Sequence, residues 1–223
     1  MQSSRSKVVK EAGKASPPRT RGKAPAAKHN RATRQRRARA KLLATALELF
    51  LQRGFDAVTV AEIADAADMS RRSFFRYFPS KEDLVFDWLL EQGAFVSQRV
   101  AERNQRLPPL ATIRAAMIEL AGRLDQDRTP ASMLARIAFD TPALDRRFSA
   151  ETERWTGALV GLLGQERRLR AAEEFSLRIQ ISAVAAAFLG AMRIWAHEEH
   201  AGSLTRWVEA AYTALEAGFG RPE

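Results

Sequence analysis

Between Val58 and Lys81 the chain reads VTVAEIADAADMSRRSFFRYFPSK, a stretch crowded with helix start and stop signals. Thr59 stands three residues before Glu62, the spacing at which a threonine hydroxyl accepts from a first-turn amide while the glutamate reaches back to the cap. A helix therefore starts near Val60, and Val60, Ile63, Ala64 and Ala67 share one stripe of a 3.6-residue period. Asp68-Met69-Ser70 interrupts it. Aspartate tolerates the left-handed backbone that a helix exit often needs, and Ser70 is a good N-cap for a second helix from Arg71 to Phe78. Pro79 stops that helix, and Ser80 with Asp83 opens a third. The stretch allows two short helices, a tight turn between them, and a capped third helix leading away.

On the second helix Phe74 and Phe78 share the face that packs on the first, while Arg72 and Arg76 point roughly the opposite way. Arg71, Ser73, Phe75 and Tyr77 fill the flanks and the N-terminal end. Three arginines, a hydroxyl, an outward aromatic and a phenol suit a major groove better than a solvent face. There arginine bonds guanine edges bidentately, an aromatic touches a thymine methyl, and hydroxyls and lysines hold phosphates. Lys81, at the start of the third helix, is placed to touch a phosphate.

The block TVAEIADAADMSRRSFFRYFPSKEDL resembles the DNA-binding signature of the tetracycline-repressor (TetR) family of bacterial regulators. The likeness runs from Ala44 to about Leu89, with the threonine cap, the spacing of Ala61 and Ala64, and the S-R-R-S-F-F-R-Y-F and S-K-E-D-L blocks in order. It implies that Thr59, Ser73, Tyr77 and Lys81 bind phosphates and that Arg71, Arg72, Phe75 and Arg76 face bases. Two positions depart from the family pattern, which usually has glycine where Asp68 stands and tyrosine where Phe75 stands. The second change removes a hydroxyl and leaves methyl or sugar packing as the contact available there.

The net charge of +10 is unevenly spread. Up to Lys41 there are 14 basic residues against one acidic, which leaves 22 against 25 beyond it. The basicity thus belongs to an N-terminal arm, residues 1–32, rich in Lys, Arg, Ser, Pro and Ala and without apolar period; it is expected to be disordered and to add DNA affinity through counterion release. The N-terminus lacks the apolar core of a secretory signal. The absence of cysteine excludes disulfides and thiolate metal sites. No run of about 18 uninterrupted apolar residues marks a membrane span, so a cytoplasmic protein with no membrane partner is expected.

The expected fold is all-α. A helix from Thr33 to Gly54 joins the two motif helices in a three-helix helix-turn-helix domain, residues 33–80. The helix opening at Ser80 continues to about Arg106, where Leu107-Pro108-Pro109 breaks it. It links the DNA-binding head to a helical-bundle ligand-binding and dimerisation domain, residues 81–223. Further helices are expected over Leu110–Asp125, after Thr129-Pro130, from Thr141-Pro142 to about Gly164, over Glu173–His197, and after the Ser203 cap through Leu204 to Phe219.

The last two helices carry small and apolar residues at helical spacing: Ala183, Ala187 and Ala191 on one, Trp207, Ala211 and Leu215 on the other. They suit a four-helix interface between two copies across a two-fold axis, as the resemblance also implies. It further implies an effector pocket, for which Met117, Met133, Phe139, Trp155, Phe175 and Met192 are candidates, since methionine and aromatic side chains make adaptable apolar pockets. A small apolar or amphipathic effector follows, with acyl thioesters within the range. His197 and His200 at i, i+3 are a polar helix terminus rather than a metal site. No cofactor is expected, and no nucleophile elbow, Gly-rich phosphate loop or metal-protease spacing points to an enzyme. The expectation is a homodimeric, ligand-responsive repressor on a palindromic double-stranded DNA operator. The alternative is a sequence-tolerant architectural protein dominated by the basic arm.

Overall fold

The computed structural model describes residues 24–102, 108–198 and 202–218. Among these the regular structure is entirely helical: α1 (Ala24–Arg53), α2 (Val60–Ala66), α3 (Arg71–Tyr77), α4 (Lys81–Glu102), α5 (Pro109–Gln126), α6 (Arg128–Asp140), α7 (Pro142–Arg167), α8 (Ala171–His197) and α9 (Leu204–Ala217). Residues up to Arg37 form one unit and Ala38–Glu223 another.

The first nine residues of α1 fall inside the segment expected to be a disordered arm. Pro25 sits in the first turn, where its missing N–H costs nothing, and the alanine-rich run that follows contains no further proline. Residues 1–23 of the expected arm lie outside the described residues. Gly54 ends α1 with φ of +82°, its amide donating to the Phe50 carbonyl at 2.8 Å. The left-handed backbone there is what a glycine supplies without steric cost.

Leu42, Ala46 and Phe50 of α1 join Ile63, Ala64, Phe74 and Phe78 in the core, all essentially sealed from solvent. Each fully buried phenylalanine contributes roughly 1.5–3 kcal/mol, so this small domain rests on three aromatics and an aliphatic bed. Continuing that core, Leu84, Val85, Trp88 and Leu89 carry it up α4 into the body. Through this continuity the helix-turn-helix head and the body share one compact unit from Ala38 onward.

In the body α8 packs against α5, α6, α7 and α9, and α5 pairs with α4 and α9. Pro109 and Pro142 stand at the first positions of α5 and α7, as the sequence signals require. The α7 helix overruns Gly164 by one turn and closes on Arg168, left-handed at φ 52°. Helix α8 alone among the described helices is long and apolar enough to cross a membrane by length and composition. Its place in the bundle, with Ile181 and Trp195 fully buried, accounts for part of that composition, and an exposed apolar face with Phe175, Ile179 and Ile194 accounts for the rest.

Candidate nucleic-acid interface and cavity

The turn between α2 and α3 follows the chemistry of its caps. Thr59 Oγ1 accepts from the Glu62 amide at 3.3 Å, while Glu62 Oε2 accepts from the Thr59 amide at 2.8 Å and its hydroxyl at 2.7 Å. Arg53 donates to the other carboxylate oxygen at 2.7 Å. These bonds, with those from Thr59 foremost, hold the Glu62 carboxyl down at about 2, well below its ordinary 4.5. Asp68 takes the left-handed conformation, φ 53°, and Ser70 Oγ accepts from the Ser73 amide at 3.1 Å.

Phe74 and Phe78 are buried beneath α3, with ring centroids 6.0 Å apart. Opposite them Arg71, Arg72, Phe75 and Arg76 are exposed, spread over an arc of roughly 140°. Phe75 is 54% exposed, its ring edge-on to that of Phe74 with centroids 5.6 Å apart. The side chains of Arg71 and Arg72 make no hydrogen bond or ion pair with any described residue. Arg76 lies over the Tyr77 ring at 4.7 Å and donates to its oxygen at 2.9 Å. The Tyr77 hydroxyl hydrogen remains for an acceptor, as does that of Ser73, whose oxygen accepts from Ser70 at 3.0 Å. Thr59 differs, because its hydroxyl already donates to Glu62.

Lys81, expected from the sequence to touch a phosphate, is turned inward in this DNA-free structure. Its ammonium donates to the carbonyls of Phe55 at 2.8 Å, Val58 at 3.0 Å and Asp56 at 3.3 Å. It also sits 4.4 Å from the centroid of the Phe55 ring. All three N–H donors are spent on the loop between α1 and α2, whose carbonyls past the helix end lack helical partners. Arg39 of α1 braces the other side. It bonds Asp87 of α4, lies 4.6 Å over the Phe78 ring, and reaches the Tyr77 carbonyl at 3.4 Å.

The body holds a half-open cavity of about 290 Å³ between α4, α5, α7 and α8. Of the six candidates, Met117, Trp155 and Met192 line it. Met133 and Phe139 are buried outside it, Phe139 against Phe148 and the guanidinium of Arg193. Phe175 is 67% exposed on the outer side of α8. The sequence missed the wall that α4 supplies, Leu89, Gln92, Gly93, Val96 and Ser97, together with Phe188 of α8. The buried Gln92 on an otherwise apolar stripe was the signal available. Most lining polar groups are already satisfied: Trp155 Nε1 donates to Ser97 Oγ at 2.8 Å, Ser97 to the Gly93 carbonyl at 3.0 Å, Thr152 to the Phe148 carbonyl at 3.0 Å, and Gln92 Nε2 to the Trp88 carbonyl at 2.8 Å. Glu151 is the one charged liner, and Arg154 holds its carboxylate.

The alanine row on α8 also sits differently from the expectation. Residues at i+4 drift by about 40° per step around a 3.6-residue helix, so the row winds inward from half-buried Ala183 and Ala187 to buried Ala191. Trp207, Ala211 and Leu215 of α9 are half-buried, Trp207 and Leu215 against the chain's own core. The open faces are Phe175, Ile179, Ala186, Gly190 and Ile194 on α8 and Ala210, Ala214 and Ala217 on α9. Phe219 and His200 lie outside the described residues. His197 bonds Asp140 at 2.9 Å and the Arg193 carbonyl at 2.8 Å.

Residues 42–87 match the bacterial regulatory proteins of the tetR family, and residues 107–220, half of the chain, match the MftR C-terminal domain. The chain is 26% identical over 190 residues to the transcriptional regulator TcmR of Streptomyces glaucescens, covering 82% of this chain and 78% of that one. It is 29% identical over 146 residues to CymR of Pseudomonas putida, covering 60% and 70%. Its fold is like that of the Thermus thermophilus TetR-family repressor FadR, solved with lauroyl-CoA, at a TM-score of 0.55 and 24% identity over 83% of this chain and 96% of that one. FadR of Bacillus halodurans is similar in fold at a TM-score of 0.61 and 17% identity, over 83% and 97%. A helix-turn-helix head matched to one family and a body matched to a regulator's C-terminal domain lead to one conclusion: this chain belongs to the tetR family of bacterial regulatory proteins and is a DNA-binding transcriptional regulator.

Proposed function

We propose that the protein is a homodimeric repressor that leaves a palindromic operator when an uncharged, largely apolar effector enters the body, and that it acts in the cytoplasm where that DNA lies. The observation that carries this is the course of α4, whose first turn follows the recognition helix α3 directly and whose residues from Leu89 onward form a wall of the cavity. One rod therefore touches both sites. A ligand that favours one setting of that rod over another shifts the affinity for DNA by the difference in its own affinity for the two settings.

On the DNA side, Arg71, Arg72 and Phe75 would meet base edges, with Ser73 and Tyr77 on phosphates; the exposed arc and the unengaged guanidiniums support this assignment. Two copies joined through the open faces of α8 and α9 would present two such helices to successive major grooves about 34–36 Å apart. On the effector side, the lining holds no cation and most of its polar groups are spent on one another, so a buried free carboxylate would lack compensation. An acyl thioester meets this requirement when its charged head stays outside the cavity.

The test is selection of bound fragments from random duplexes, followed by a screen for release with fatty acids, acyl thioesters and neutral aromatics. A selected palindrome bound at least roughly 10³-fold more tightly than random duplex is expected. Equal affinity for the two would overturn the repressor assignment in favour of a sequence-tolerant architectural protein.

A further inference from the structure

Helices α4 and α7 are pinned together at two places, and the cavity lies between the pins. At one, Trp155 Nε1 of α7 donates to Ser97 Oγ of α4 at 2.8 Å. At the other, Arg147 Nη2 of α7 donates to Asp83 Oδ1 in the first turn of α4 at 2.9 Å, with its guanidinium 4.0 Å from the centroid of the Phe86 ring. Between these points α7 contributes Phe148, Glu151 and Thr152 to the cavity, and α4 contributes Leu89, Leu90, Gly93 and Ala94. Anything that swells the cavity on this side loads both pins.

The two pins lead to different places. Trp155 and Ser97 belong to the body, whereas Asp83 belongs to the exit of the DNA-binding helices. Its other oxygen, Oδ2, accepts from the Ser80 hydroxyl at 2.8 Å, and its amide donates to that hydroxyl at 3.3 Å, closing the cap that follows Phe78 and Pro79. The same carboxylate thus holds the arginine beside the cavity and the serine at the end of the recognition unit. A pair this open to solvent, with side-chain exposures of 45% and 18%, adds little to stability. Its consequence lies in geometry.

Building on the effector-release mechanism proposed above, we infer that Arg147 is a positioning residue for induction: its grip on Asp83 and Phe86 turns a ligand wedged between α4 and α7 into a displacement of the first turn of α4 and of the recognition helix before it. With the grip removed, the swelling is taken up by α7 moving away alone, and α3 stays where it was. Ligand entry and operator binding then persist, but the two are uncoupled.

The chain has no cysteine, so a single one can be addressed cleanly in the full-length protein. Ala94→Cys, at the cavity margin between the pins, is labelled with n-octyl methanethiosulfonate, which leaves a reducible alkyl chain in place of an unidentified effector. Affinity for the selected operator is then measured with and without the label, in the Arg147 and Arg147→Met backgrounds. The label is expected to weaken binding roughly tenfold or more with arginine present and less than about twofold with methionine, and Arg147→Lys is expected to regain part of the response. Equal weakening with arginine and methionine would overturn the inference while leaving effector release standing. No weakening in either background would overturn effector release from this cavity, and the inference with it. Thermal unfolding and unlabelled operator affinity report whether each variant folds, and Arg147→Gln replaces the methionine variant if that one does not.

Discussion

Arg72 in the first turn of α3 and Lys81 at the head of α4 are both basic and both expected from the sequence to touch DNA, yet their surroundings differ. Arg72 is exposed and its side chain bonds no described residue, so its guanidinium is available to a base edge. Arg72→Ala is expected to cost about 1–3 kcal/mol of operator affinity, with an unchanged melting temperature, in a mobility-shift titration. Lys81 gives its donors to three carbonyls of the α1–α2 loop. Lys81→Met should therefore destabilise the domain by roughly 1–3 kcal/mol, since three carbonyls lose a charged partner. The slope of log affinity against log salt should stay unchanged; a lysine on a phosphate would instead take about 0.9 from that slope when removed. The same pair shows where sequence legibility ends. Capping boxes, the left-handed Asp68 and the buried Phe74 and Phe78 are matters of local spacing, and local spacing is written in the chain. The direction in which a long flexible lysine turns depends on carbonyls more than twenty residues earlier, which no local pattern encodes.

At the level of helices, two junctions carry a pH dependence of opposite sign. The Glu62 carboxyl in the α2 cap is held at about 2 by Thr59 and Arg53. A carboxyl lowered on folding stabilises the native state above its ordinary 4.5 and surrenders that contribution as pH falls through the folded value. Where α6 and α8 end together, His197 is raised above its ordinary 6.5, chiefly by the Arg193 carbonyl and then by Asp140. With both ring nitrogens facing acceptors, the imidazolium is the favoured form. Its contribution is complete below 6.5 and is lost as pH rises through the folded value. Melting temperature followed upward from pH 6 should fall more in the wild type than in His197→Gln; parallel curves would refute the α6–α8 pairing. At this scale the sequence conveyed helix order and the proline starts of α5 and α7, because these are one-dimensional signals. It did not convey the cavity. Apart from Gln92 on its apolar stripe, the α4 wall, Gly93 and Ser97 included, looks like any amphipathic helix until α7 is laid against it, and Phe175 reads as core when only its apolarity is known.

For the whole molecule the exposed apolar surface decides between a monomer and a pair. Phe175 and Ile179 are 67% and 54% exposed and Ile194 is 40% exposed, all on α8. Ala186 and Gly190 between them keep the surface low enough for another helix to approach, and Ala210, Ala214 and Ala217 make a similarly low face on α9. Scattered apolar residues need no partner, but contiguous ones on two neighbouring helices mark an interaction surface, and a self-complementary patch around a two-fold axis satisfies both copies at once. Since α8 and α9 also pack on each other through Leu204, Val208 and Tyr212, the face is rigid before any partner arrives. Ile179→Glu would place a charge in the middle of it. The expected result is a monomer by sedimentation with native helical content, because Ile179 contributes little to its own core. Operator affinity should fall by roughly 10² or more, the loss that follows when two linked recognition helices become two independent ones. On a duplex carrying one half-site the same variant should match the wild type, which separates lost pairing from a damaged head. A dimer that survived Ile179→Glu unchanged would move the contact to another face and, with it, the spacing at which two α3 helices can meet DNA.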